Sequence, residues 1–201
     1  MPEPRPYRCN DEEGEEEKPG RPLGARLLEF RTILLAEPIT KELAERVTAQ
    51  LLLLDQDSDT EPIDLYINSP GGDVDAGFAI FDMVRFISAP VRCISNGLTA
   101  SAAVVVLLAA PIERRFSFPN SRFLMHQPST GVRGSTADIQ IEAREILKIR
   151  EKINKLISDE TGQDVEKIQK DTRRNYWIDA QKAKDYGLIS RIAQTRADLE
   201  S

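Results

Sequence analysis

The stretch IDLYINSPGGDVDAGFAIFDMVRFISAPVRCISNGLTASAAVVVLLAA (63–110) reads as strand, turn, helix, strand, helix. IDLYI (63–67) is a short apolar run that stops at NSPGGD. Asp75 to Ile87 follows helical spacing, with Phe78, Met83 and Phe86 among its apolar positions. VRCIS (91–95) reads as a second strand and 99–110 as a buried helix. Strands alternating with helices predict an α/β fold with crossover connections and a largely parallel sheet.

The flanking sequence extends that pattern. Thr32 to Leu35 reads as a strand. Thr40 is placed to cap a helix that carries Glu42 in its first turn and Leu43, Val47, Leu51 and Leu54 on one face. On the C-terminal side, RRFSF (114–118) and RFLMH (122–126) are strands flanking the turn signal Pro119–Asn120–Ser121. A long helix is predicted over 137–160, with Ile139, Ala143, Ile146, Leu147, Ile153, Leu156 and Ile157 at helical spacing and Gly162 as terminator. A short helix ends near Thr172, and Asp179 caps another that stops at Gly187. Residues 1–24 are rich in proline and carry DEEGEEE (11–17), so a disordered acidic tail precedes one domain over 25–201.

Composition narrows the function classes. An apolar share of 40% in 201 residues supports a real core. A net charge of −6 argues against a nucleic-acid surface. The two cysteines, Cys9 and Cys93, are too few for a disulfide framework, and no Cys/His spacing resembles a zinc site. The longest apolar run, 102–112, is too short to span a bilayer, and the N-terminus is no secretory signal. Cytoplasm is the default expectation.

Two segments carry chemistry. GLTASAAVVV (97–106) sets Ser101 in an apolar run after Gly97, at a strand-to-helix turn where free backbone N–H groups can hold an oxyanion. RFLMHQPSTG (122–131) ends a strand on His126, the only histidine in the chain. A serine hydroxyl needs a base to become a nucleophile, so any serine-hydrolase reading must use His126. Each residue also has a plain structural reading, Ser101 bonding back to a helix carbonyl and His126 as a satisfied polar group. NSPGGDVDAG (68–77) offers Gly71 and Gly72 for close backbone approach. It lacks the Lys-Ser/Thr of a phosphate-cradling loop.

YINSPGGDVDAGFAIFD, the Gly-Leu-Thr-Ala-Ser run at 97–101, FPNSRFLMHQP, ADIQIEAREILKIREKIN, TGQDVEKIQKDT and AKDYGLI together resemble the proteolytic subunit of the Clp protease, from about Ala25 to about Ile192. The resemblance implies a crotonase-like spiral fold of β-β-α units with a protruding handle helix. It implies a serine endopeptidase that cleaves unfolded polypeptides inside two stacked heptameric rings, a tetradecamer. An AAA+ unfoldase would feed the rings, using the ATP itself, so the chain needs no cofactor or metal. Nucleic acid and membrane are not among the implied partners. By position Ser101 matches the nucleophile and His126 the base. Gly72 and Ala102 match the oxyanion-hole donors, Tyr66 and Phe86 the unfoldase-docking pocket, Arg174 a ring–ring contact and 137–160 the handle.

The sequence departs from the family pattern in places. The catalytic aspartate falls on Asn175 in DTRRN (171–175). Ala102 and Ala103 stand for a methionine and a glycine, and Asp64 for an aromatic of the docking pocket. No family-like axial-loop sequence is recognisable in 1–24. The reading is therefore a Ser101–His126–Asn175 site of weakened or conditional activity, with Asp171 as a reserve acid and a roomier pocket beside Ala102. An alternative is a weakly active or non-catalytic ring subunit that assembles with a more active paralogue. An acyl-CoA enzyme on the same spiral fold is a third reading, disfavoured by the Ser101–His126 pair.

Overall fold

The computed structural model describes residues 23–128 and 133–199. The expected tail lies outside them, apart from Leu23 and Gly24, which open helix α1 (Leu23–Glu29). There follow β1 (Thr32–Leu35), α2 (Lys41–Asp57), β2 (Ile63–Ser69), α3 (Val74–Phe86), β3 (Val91–Ala100) and α4 (Ala102–Leu107). The second half holds β4 (Arg115–Ser117), β5 (Arg122–Met125), α5 (Thr136–Thr161), α6 (Val165–Asp171), β6 (Tyr176–Asp179), α7 (Ala180–Tyr186) and β7 (Arg191–Ile192).

The sheet runs in the order β1-β2-β3-β4-β7, all parallel, and β5 joins the far half of β3. Antiparallel β6 covers the other side of β5. The strand expected over 91–95 continues to Ala100, and the helix expected over 99–110 shrinks to Ala102–Leu107. The physical reason is pairing. β4 lies beside Cys93–Ser95, and β5 lies beside Leu98–Ala100. Leu98 to Ala100 therefore find ladder partners, and tertiary pairing overrides the helix propensity of the small residues. Two short strands, β6 and β7, escaped the sequence reading.

α2 buries its predicted face, and α3 buries Phe78 but leaves Phe86 exposed. Thr40 accepts the Leu43 N–H at 3.2 Å, and α2 buries Leu43, Ala44, Val47, Leu51 and Leu54. α4 is buried all round, as its Ala-Ala-Val-Val-Val-Leu sequence requires. α5 is different. Its 26 residues extend about 39 Å. Ser135 and Asp138 form a reciprocal cap at its start, and Gly162 ends it in a left-handed conformation. Only Asn154 and Ile157 of this helix are buried, whereas Ile139, Ile141 and Leu147 stand open to solvent. The N-terminal part of α5 thus projects from the body.

The C-terminal end of α5 is anchored by charge. Glu160 bridges Arg85 and the fully buried Arg115. Arg115 also donates to the carbonyls of Ala110 at 2.6 Å and Glu160 at 3.0 Å. Burial pulls the Arg115 guanidinium below its ordinary pKa, and the Glu160 carboxylate opposes that shift. Among the described residues no helix is long and apolar enough to cross a membrane.

Candidate active site

Ser101 sits at the junction of β3 and α4, as the residue that caps the helix. Its backbone is at φ 55° and ψ −122°, one of two non-glycine residues with positive φ among those described. Such a conformation costs about 1–3 kcal/mol and persists only where neighbours over-determine it. Here they do. The Ser101 N–H donates to Leu124 of β5 at 2.8 Å, and its carbonyl accepts from Val104 at 2.9 Å. Gly71 closes the third side. A Cβ on Gly71 would lie 2.5 Å from the Ala100 oxygen, 2.7 Å from the Ser101 Cβ and 2.9 Å from the Ala102 nitrogen, and its φ is +85°. Only glycine fits there. The sharp turn takes the serine side chain out of both the ladder and the helix.

His126 follows β5 directly. Because β5 pairs with β3 through Ala100 opposite Leu124, parallel strands deliver Ser101 and His126 to neighbouring strand ends. Both line one small cavity, together with Val74, Ala102, Met125 and Ile153. The cavity is about 20 Å³, room for about one water. The Ala102 methyl faces Gly77 of α3, whose added Cβ would lie 3.3 Å from it, and Val74, Ile153 and Ile157 wall in the space.

The imidazole Nδ1 lies 2.7 Å from the carbonyl oxygen of Gln127. A carbonyl only accepts, so Nδ1 carries a proton, and in the neutral ring the lone pair is on Nε2. That is the tautomer a general base needs. Asn175 lies one step beyond the Met125–Tyr176 pair of the β5–β6 ladder, which sets it opposite His126. It is exposed and makes no hydrogen bond to the imidazole. Asp171, the reserve acid, accepts instead from Lys167 at 2.7 Å and from the Tyr186 hydroxyl at 3.1 Å. That bond, after burial itself and the carboxylate's charge, helps push the Tyr186 phenol above its ordinary pKa. Gln127 was missed as a site residue. The only signal for it was the Gln127–Pro128 step, where the strand leaves the sheet.

The two expected oxyanion donors, Ala102 and Gly72, each have a backbone N–H outside the helix and strand ladders. Ala102 is the first residue of α4, so its N–H has no intrahelical carbonyl. Gly72 bridges Ile39: the Ile39 N–H donates to Gly71 at 2.9 Å and the Asp73 N–H to Ile39 at 2.9 Å. In a trans peptide the C=O and N–H point oppositely, so the Gly72 N–H faces away from Ile39. A side chain on Gly72 would strike the Ile39 carbonyl.

The two docking residues are not brought together within one chain. Tyr66 lines an open groove of about 660 Å³ with Phe30, Leu34, Asp64, Phe118 and Leu199. Its ring centroid is 6.2 Å from that of Phe118. Burial first, and the Asp64 carboxylate second, push the Tyr66 phenol up. Asp64, at the aromatic's expected place, is held by Arg92 at 2.5 and 3.0 Å. Phe86 is 77% exposed at the end of α3, outside that groove. Arg174 is exposed and pairs with no described carboxylate. Among the described residues no group of three or more His, Cys, Asp or Glu is placed to hold a metal.

Comparison with known proteins shows the family. The Clp protease family matches residues 16–196. The ATP-dependent Clp protease proteolytic subunit 2 of Treponema denticola is 55% identical over 174 residues, covering 87% of each chain. The proteolytic subunit 3 of Rhizobium etli is 50% identical over 194 residues, covering 94% of this chain and all 100% of its relative. A solved structure of an asparagine-to-aspartate mutant of ClpP1 from Listeria monocytogenes superposes with a TM-score of 0.82 at 45% identity, covering 88% of this chain and 99% of its own. With its parallel spiral sheet and projecting α5, this chain belongs to the Clp protease family and has the fold of its proteolytic subunits.

Proposed function

We propose that this chain is a serine endopeptidase subunit that cleaves unfolded polypeptide inside a ring assembly fed by an AAA+ unfoldase. The observation that carries the reading is the strained Ser101 sharing one cavity with His126 at adjacent strand ends. His126 Nε2 takes the Ser101 proton as Oγ attacks the substrate carbonyl carbon. The Gly72 and Ala102 N–H groups receive the developing oxyanion. The imidazolium then protonates the leaving amine, and water, deprotonated by the same imidazole, hydrolyses the acyl-serine. In the active state we propose, the Asn175 side-chain oxygen replaces the Gln127 carbonyl as the acceptor for Nδ1–H. It lacks the charge that would stabilise the imidazolium, so turnover is weak. The chain itself needs no cofactor; ATP is consumed by the unfoldase.

The test is a fluorophosphonate probe. Labelling that vanishes in Ser101→Ala and falls in His126→Ala supports the peptidase. Labelling of Ser101→Ala equal to that of the parent chain would refute it.

A second reading is a ring subunit active only with a paralogue. It is favoured by the Nδ1 contact to Gln127 in place of Asn175. No labelling of the chain alone, restored on mixing with the paralogue, supports it.

A further inference from the structure

A second pocket lies behind the histidine, separate from the cavity at Ser101. Its volume is about 250 Å³, and Gln127, Arg150, Asn154, Gln169, Thr172 and Arg173 line it. Arg150 and Asn154 lie one turn apart on α5, while Gln169 and Thr172 come from α6 and its cap. The backbone closes one wall: the Gln127 N–H donates to Thr172 at 2.8 Å and the Gln127 side-chain amide to Arg173 at 3.4 Å.

The lining is cationic and uncompensated. It contains two guanidinium groups and no carboxylate. Neither the Arg150 nor the Arg173 guanidinium pairs with a described residue. On α5 the residues three and four positions from Arg150 are Ile146, Leu147, Ile153 and Asn154, none acidic. Asp171, nearby in the chain, is committed to Lys167 and Tyr186. The second observation is Asn154. It is 3% exposed, and its side-chain amide lies 3.3 Å from the Thr172 hydroxyl. That hydroxyl's single proton goes to the Ile168 carbonyl at 2.8 Å, so the amide N–H₂ donates to Thr172 and keeps one N–H for the pocket that Asn154 lines. An amide with one N–H left over, in a pocket lined by two unpaired guanidinium forks and no carboxylate, is a complement to an oxyanion.

We propose that this pocket binds an oxyanion, a carboxylate or phosphate group, held by Arg150 and Arg173 with the Asn154 amide as third donor. The proposal is independent of the chemistry at Ser101. The group comes either from a small molecule or from an acidic side chain of another copy, and the two sources separate experimentally.

The full chain, kept in chloride buffer, is titrated with inorganic phosphate and, separately, with succinate, at ionic strength matched by sodium chloride. The readout is unfolding temperature. A saturable rise is expected with at least one of them. The apparent affinity should weaken about tenfold or more in Arg150→Gln and in Arg173→Gln, roughly the loss of one charged hydrogen-bonding partner. It should be unchanged in Lys148→Gln, an exposed lysine on the same helix. If another copy supplies the group, the anions give no rise. The two arginine variants then lower the particle mass in sedimentation velocity, and Lys148→Gln does not. Arginine variants that match the parent chain in both measurements overturn the proposal.

Discussion

His126 and Asn175 face each other across the end of the β5–β6 ladder, yet the imidazole Nδ1 bonds the Gln127 carbonyl at 2.7 Å. The orienting role in this chain thus falls to a neutral acceptor, whether the backbone carbonyl or the asparagine. Neither supplies the negative charge that stabilises an imidazolium.

Asn175→Asp should therefore raise peptide hydrolysis. The reverse change in a trypsin-like triad costs on the order of 10⁴ in turnover, which bounds the gain from above. A rise of about tenfold or more in kcat, with KM little changed, is expected in steady-state assays. No gain would mean that the third position does not limit the rate.

Gly71→Ala should disable the serine through the backbone. The new methyl meets the Ala100 oxygen and the Ser101 Cβ, and alanine disfavours φ +85°. Loss of about 1–3 kcal/mol and of fluorophosphonate labelling is expected, with secondary structure retained. Circular dichroism melts alongside labelling gels read both.

Glu160→Leu should be far more damaging than its place near a helix end suggests. It leaves the Arg115 guanidinium buried without its carboxylate, a loss of about 3–5 kcal/mol. Urea unfolding measures it, and a change below about 1 kcal/mol would show that the carbonyl bonds to Arg115 suffice.

Cys93 links pH to stability. Burial raises its thiol pKa to about 12 from an ordinary 9.0. Below pH 9 both folded and unfolded thiols are protonated, so the group has no effect. Above it the unfolded thiol ionises first, so stability falls as pH rises toward 12. Cys93→Ala should flatten that slope, and the native thiol should resist an aromatic disulfide reagent until unfolding.

Ile141→Glu on the projecting part of α5 should leave the single chain stable, because this side chain is 55% exposed. If the helix serves as the handle between rings, the particle mass in sedimentation velocity falls. An unchanged mass would remove Ile141 from that interface.

Much of this was readable from residue order. The amphipathic spacing of α2 and α5, the caps at Thr40 and Asp179 and the terminators Gly162 and Gly187 are local, each set by a few neighbours in the chain. Ser101 and His126 stood out because an apolar run isolates one and the other has no competitor. The helix expected over 99–110 was misjudged because small apolar residues suit a helix and a buried strand alike, and β5, far along the chain, decides between them.

Residue chemistry and local spacing were enough to name a nucleophile, a base and an α/β frame. They could not reveal the left-handed turn at Ser101, the Gln127 carbonyl on the imidazole, the small cavity beside Ala102 or the arginine-lined pocket behind the histidine. Each of these depends on atoms from separate elements meeting across β3, β5, α5 and α6. Such meetings are set by strand pairing and core packing, which act between positions distant in the chain and so leave no periodic trace in it.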